Sequence, residues 1–200
     1  MNQAVANPEV LTNEELMTRF QGGDAAALEE LFARFQKPLF NYFYRMLGRR
    51  ETSEDLVQET FLKVCRFGTS FRGSEAKFST WLFSVAGNQC RDYIRHSSRR
   101  PETLVEDSEL HEVADDGGPS LHAYDSSAED HLMRMELQDI LKKAIHSLPE
   151  KEKNAIILRE YEGLEYKEIA EALSCPIGSV KVLIYRARQK LREKLDKLEV

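Results

Sequence analysis

Cysteine, tryptophan and long apolar runs are all scarce in this chain of 200 residues, and each scarcity removes a class of protein. The three cysteines, Cys65, Cys90 and Cys175, stand far apart with no CxxC pair. That spacing excludes a disulfide framework and a zinc knuckle, and leaves three reduced thiols in or near a core. The five histidines, His96, His111, His122, His131 and His146, show no metal-ligand spacing, so neither a metal nor another cofactor is expected. No glycine-rich phosphate cradle and no nucleophile elbow is present, which argues against an enzyme. No apolar run approaches membrane length, and no charged segment leads into an apolar one near the N-terminus. Membrane insertion is therefore not expected, and a reducing, cytoplasmic location is. No stretch alternates with the period of a strand, so the fold class is predicted all-α.

Charge is plentiful but unevenly placed. The net charge is −6, yet Pro101–Asp130 holds ten acidic residues and no Lys or Arg. From Pro176 to Val200 seven basic residues stand against three acidic ones, a local charge of +4. The low overall pI thus conceals a basic end beside an acidic belt. With 42% hydrophobic residues the chain can bury a core, as one domain or two small ones.

Helical punctuation divides the chain into four segments. Residues 1–12 read as a tail. From 13 to 97 four helices are predicted. Thr12-Asn13-Glu14-Glu15 forms a capping-box pattern ahead of Leu16, Met17 and Phe20, and Gly22-Gly23 stops that helix. Asp24 caps an aromatic-rich helix that Pro38 is expected to bend and Gly48 to end. Thr52 or Ser53 starts a third helix, with Leu56, Val57, Thr60, Phe61 and Val64 inward. A fourth starts near Ser79 and buries Trp81, Leu82, Val85, Ala86 and Tyr93. The acidic belt, 98–129, has no apolar period and reads as a flexible linker. From 130 to 200 a second helical group follows. Its first helix turns Leu137, Ile140, Leu141, Ala144, Ile145 and Leu148 inward and ends at Pro149.

The end of the chain carries the sharpest signal. Tyr166, Ile169, Ala170 and Leu173 mark one short amphipathic helix. Ser174, Cys175 and Pro176 break it, with Ser174 or Cys175 available to cap the next. Val180, Leu183, Ile184, Ala187, Leu191 and Leu195 form the buried stripe of a longer helix. Lys181, Val182, Tyr185, Arg186, Gln189 and Arg192 fall on its other side. This is the layout of a helix-turn-helix whose second helix enters a DNA major groove.

Two motif groups carry a resemblance over roughly residues 13–98 and 130–198. The first comprises DLVQETFLKV (Asp55–Val64), FRGSEAKFSTWL (Phe71–Leu82) and the spacing of Asn88, Asp92 and Arg95. The second comprises the run Leu148–Lys181 and Arg186–Arg188. In this order and with this gap, the chain resembles the extracytoplasmic-function sigma factors of bacterial RNA polymerase. The resemblance implies two small helical domains, a region two bundle and a region four helix-turn-helix, joined by a flexible acidic linker. It implies core RNA polymerase, promoter DNA and an anti-sigma factor as partners, and a role in transcription initiation at a stress or envelope regulon.

The resemblance also implies roles for residues. Asp55, Gln58, Glu59 and Lys63 match positions that contact the polymerase clamp. Asp55, Gln58 and Glu59 share one helical face, and carboxylates flanking an amide suit arginine partners. Phe71, Arg72, Ser74, Glu75 and Lys77 match a loop that reads an extruded base of the minus-ten element, with Asn88 lining the pocket. Arg91, Arg95, Arg99 and Arg100 are expected on phosphates. Phe78 and Trp81 can in principle stack on bases; the spacing of Trp81 with Leu82 and Val85 points instead to the core. Ser179, Lys181, Val182, Tyr185, Arg186 and Arg188 are expected at the minus-thirty-five element, with Arg188 near the buried edge and able to meet an acidic neighbour. The family usually has glycine, threonine, valine, a basic residue, serine and arginine where this chain has Gly178-Ser179-Val180-Lys181-Val182-Leu183. A hydroxyl and an arginine are thus replaced by two apolar groups at the groove, where Val182 can touch a thymine methyl. The acidic linker can mimic a phosphate backbone inside a basic polymerase channel. The alternative is a free-standing DNA-binding regulator, which has no need of the Asp55–Val64 face.

Overall fold

Thr12 and Glu15 close the first turn of the chain on each other. The Thr12 N–H donates to Glu15 Oε2 at 2.8 Å and the Glu15 N–H donates to Thr12 Oγ1 at 3.2 Å. That reciprocal cap starts α1 (Asn13–Gln21). In the computed structural model, which describes residues 11–97 and 128–196, seven further α-helices follow. They are α2 (Ala25–Leu47), α3 (Arg50–Phe67), α4 (Phe78–Ser97), α5 (Ala128–His146), α6 (Glu150–Glu160), α7 (Tyr166–Ala172) and α8 (Ile177–Leu195). A single 3₁₀ turn, Gly68–Ser70, follows α3. No strand occurs among the described residues. The tail residues 1–10, most of the acidic linker, Arg99 and Arg100 lie outside the described residues.

Local chemistry explains most boundaries and corrects several expectations. Asp24 caps α2 through the Ala26 N–H at 3.0 Å. The helix then runs through Pro38 to Gly48, whose φ of 72° ends it. α3 begins at Arg50 rather than at Thr52 or Ser53. Ser53 is not a cap: its hydroxyl donates back to the Arg49 carbonyl at 2.6 Å, as a residue already inside a helix does. Ser174 likewise does not cap α8. It sits in the left-handed region at φ 50°, while Pro176 occupies the cap position itself. In α5 the expected stripe holds from Ala144 to Leu148, but Leu137 is exposed.

The buried stripes fuse into one core that runs through both helical groups. Leu31, Leu39, Tyr42, Phe43, Phe78 and Leu82 fill the first group; Ile157, Leu158, Ile169 and Ile184 fill the second. Truncating any of the fully buried leucines to alanine costs about 2–5 kcal/mol at such positions. α5, α6 and α7 pack against α2 and α4. At their contact the Tyr42 hydroxyl donates to Asn154 Oδ1 at 3.0 Å, and Lys153 Nζ donates to the Met46 carbonyl at 3.4 Å. The Arg45 guanidinium lies 3.9 Å from the Tyr161 ring centre, and Lys142 Nζ 4.8 Å from that of Tyr44. Gly48 is constrained twice. Its backbone is left-handed, and a Cβ there would stand 3.0 Å from His146 Cε1.

Two acid–base groups sit uneasily in this contact. Burial, helped by the charges of Lys153 and Lys142, lowers His146 to about 4. Burial raises Glu162 to about 7, despite the opposing pull of Arg45. For Glu162 the sign is clear. The unfolded carboxyl ionises near 4.5 and the folded one near 7, so its cost to stability is absent below 4.5 and complete above 7. Glu162→Gln is expected to melt higher than the parent at pH 8, by about 2 kcal/mol of stability. The gain should shrink through the window and vanish below pH 4.5 in parallel thermal melts.

Candidate nucleic-acid and protein interfaces

The first face is built on α3. Leu56, Val57, Thr60, Phe61 and Val64 turn into the core, which leaves Asp55, Gln58 and Glu59 exposed together on the opposite side. Lys63 is half-buried at the edge of that face. Leu62, 56% exposed, lies among the three polar residues, three positions beyond Glu59 and four beyond Gln58. Glu59 is steered from inside the bundle. Gln89, buried on α4, donates its amide to Glu59 Oε2 at 3.3 Å. The Thr60 hydroxyl lies 2.7 Å from both the Gln89 Oε1 and the Leu56 carbonyl and shares its single proton between them. Sequence reasoning missed Gln89. The signal was present, because a glutamine occupies the apolar stripe between Ala86 and Tyr93.

The second face comprises the loop 71–77 and the exposed side of α4. Arg72, Ser74 and Glu75 all project into solvent. Arg72 and Glu75 stand 3.8 Å apart and are both more than 70% exposed, a pairing of small worth. Phe71 and Phe78 depart from expectation. Phe78 is fully buried and Phe71 nearly so, edge-on to each other at 5.8 Å and tilted against Trp81. The buried rings of Phe71 and Phe78 cannot stack on a base; they set the floor under the loop, with Trp81 half-buried beside them. Asn88, Arg91 and Arg95 are exposed along α4. Arg91 Nη1 donates to Asn88 Oδ1 at 3.1 Å, and Arg95 pairs with Asp92. Lys77 is exposed but already paired. Its Nζ reaches Glu168 on α7 at 2.7 Å. Burial works against the charge of Glu168, but Lys77 and the Glu165 N–H together hold its carboxyl below the usual range.

The third face is α8. Val180, Ile184 and Ala187 anchor it against α6 and α7. Ser179, Lys181 and Arg186 are exposed, with Val182 at 47% and Tyr185 at 64%. Leu183 is half-buried and packs on the core, so only one of the two apolar replacements reaches the surface. Ile177, 46% exposed, joins Val182 and Tyr185 as an apolar position that sequence reasoning passed over. Arg188 Nη2 bonds Glu160 at 2.6 Å, which fixes it as a strut between α8 and α6. Among the described residues no group of His, Cys, Asp and Glu is placed to hold a metal. No helix there is long and apolar enough to cross a membrane.

Comparison with known proteins assigns both helical groups. Residues 31–100 match Sigma-70 region 2 and residues 138–191 match Sigma-70, region 4. The chain is 39% identical over 193 residues to the ECF RNA polymerase sigma-E factor of Haemophilus influenzae, covering 95% of this chain and 98% of that one. It is 37% identical over 190 residues to the ECF RNA polymerase sigma-E factor of Escherichia coli, covering 95% and 97%. Among solved structures, CnrH in complex with the cytosolic domain of CnrY superposes with a TM-score of 0.67 at 22% identity, covering 92% of this chain and 97% of that one, a likeness of fold. The sigma factor RpoE of Bartonella quintana, solved with the anti-sigma factor NepR, gives 0.62 at 26% identity, covering 84% and 96%.

Proposed function

We propose a division of labour among the three faces of this chain, which belongs to the extracytoplasmic-function family of sigma factors. The chain directs RNA polymerase to promoters. Asp55, Gln58 and Glu59 dock on the clamp of the core enzyme, with Lys63 at the margin. The loop from Arg72 to Lys77 reads a melted base of the minus-ten element, and Asn88, Arg91 and Arg95 hold the strand beside it. Ser179, Lys181, Val182, Tyr185 and Arg186 meet the minus-thirty-five element. Phe71 and Phe78 serve from within as supports for these surfaces, and Arg188 braces α8 from the surface through Glu160.

The observation that carries this reading is the α3 face. A carboxylate that points into solvent is held there by a buried amide, Gln89, which itself is held by Thr60. A regulator that binds DNA alone gains nothing from an oriented, exposed carboxylate among acidic and apolar neighbours on α3. A basic partner does, because charge-assisted bonds reward fixed geometry. Sigma factors are initiation factors rather than enzymes, and we assign this chain no reaction of its own; the polymerase joins the nucleotides. The setting is the cytoplasm, where that enzyme works. An anti-sigma factor is a further expected partner, as for the Bartonella quintana relative.

Two structural features bear on the order of events. Lys77 must leave Glu168 before it can reach a phosphate. The packing of α5–α7 on α2 and α4 holds the two DNA faces in one body, whereas two promoter elements lie apart along the duplex.

Transcription in vitro with core polymerase on a genomic template tests the function: discrete start sites should share a common upstream sequence. Absence of initiation anywhere, beside an active control sigma factor, removes the assignment. On such a promoter Lys181→Ala is expected to weaken recognition about tenfold and to relax base preference at one minus-thirty-five position. A uniform loss across all sequences would instead put Lys181 on a phosphate.

A further inference from the structure

A helix outside the recognised motifs touches the base-reading loop at both ends. Gln21, the last residue of α1, donates its amide to the Gly68 carbonyl at 2.8 Å and to the Phe71 carbonyl at 2.9 Å. Both protons of one NH₂ group are thus spent on the entry to the loop. Glu14, two turns earlier, accepts the Phe78 N–H at its exit through Oε1 at 2.7 Å. That N–H is one of the unpaired donors at the start of α4, so Glu14 caps a helix 64 residues away. Between the two bonds the loop crosses α1 closely. A Cβ on Gly73 would stand 3.4 Å from Glu14 Cβ.

We infer that α1 shapes the base-reading loop: Gln21 and Glu14 are its positioning residues. This rests on the reading of the loop as the minus-ten reader. A glycine-bearing loop in solvent has many conformations, and discrimination between bases needs its donors and acceptors held within a fraction of an ångström. The aromatic floor of Phe71, Phe78 and Trp81 limits the depth of the loop but not its backbone shape. The two α1 side chains do limit it, because each binds main-chain atoms.

The test is abortive transcription by holoenzyme on fork templates carrying each of the four bases at every non-template minus-ten position in turn. The parent chain should prefer one base strongly at a single position. Gln21→Met and Glu14→Ala should each reduce that preference about tenfold, by raising activity on the wrong bases relative to the right one. Glu14→Gln keeps an oxygen acceptor for the Phe78 N–H and should restore most of the preference. Discrimination at the minus-thirty-five element and affinity for core polymerase should stay within about twofold of the parent. An equal loss on right and wrong bases would reduce α1 to a structural support and overturn the inference, as would an unchanged preference in both variants. A parent chain with no base preference at any melted position overturns the loop reading itself, and the two failures are thereby told apart.

Discussion

Glu59→Arg is expected to weaken the affinity of the chain for core RNA polymerase by about 30-fold or more, some 2 kcal/mol at least. The substitution acts on a residue whose direction is set by the bundle, through the Gln89 amide at 3.3 Å. Reversing the charge removes an acceptor from the Asp55–Gln58–Glu59 face and puts a cation where the basic partner proposed for it would bring its own. Stability should fall by only about 1 kcal/mol: position 59 is exposed and Gln89 keeps its bond with Thr60, but its buried amide loses the Glu59 acceptor. Competition binding with a labelled sigma factor measures the affinity, and circular dichroism melts verify the fold. Glu59→Gln, which keeps an acceptor oxygen, should fall between parent and reversal. Parental affinity in Glu59→Arg would take the α3 face out of the polymerase contact.

Asn154→Ala should loosen the two helical groups from each other. Its side chain is 4% exposed and receives the hydroxyl of Tyr42, which is fully buried. Burial pushes the Tyr42 phenol well above its ordinary range, so the hydroxyl keeps its proton and remains a donor throughout the physiological window. Without Asn154 that donor has no partner, and an unsatisfied buried hydroxyl costs about 1–3 kcal/mol. The α4 backbone comes close at the same point, since a Cβ on Gly87 would lie 3.4 Å from both Asn154 Nδ2 and the Tyr42 hydroxyl. The void left by alanine therefore cannot be filled by a small shift of side chains alone. The expected readouts are a lower melting temperature and a larger radius of gyration in small-angle scattering. Tyr42→Phe should act in the same direction, and the double variant should cost less than the two singles added. Strict additivity, or an unchanged radius, would show that this bond does not hold the groups together.

The candidate faces differ in how far they were legible before the fold was known. On α3 and α8 the polar residues separated from the apolar ones by counting along a single helix, so Asp55, Gln58, Glu59, Lys181, Tyr185 and Arg186 could be placed outward from periodicity alone. All six are exposed. The loop 71–77 has no such period. Phe71 matches a base-reading position there, Phe78 just beyond it suits a base or a core alike, and only packing puts the two together against Trp81. Leu183 shows the same limit on a smaller scale, because a residue at the edge of a stripe is buried or bare according to what lies opposite.

The sequence by itself determined that these helices exist, the Thr12–Glu15 and Asp24 caps, the Gly48 stop, most of the inward stripes, the charge asymmetry and the family. Each of these depends on residues within about four positions of one another, or on motifs read in order. The tertiary structure alone decided the bonds that join distant segments: Gln21 to Gly68 and Phe71, Glu14 to Phe78, Gln89 to Glu59, Lys77 to Glu168 and Tyr42 to Asn154. The last of these spans 112 positions. Such a partner is chosen by how whole helices cross, and that crossing is set by the summed fit of their buried faces rather than by any local pattern.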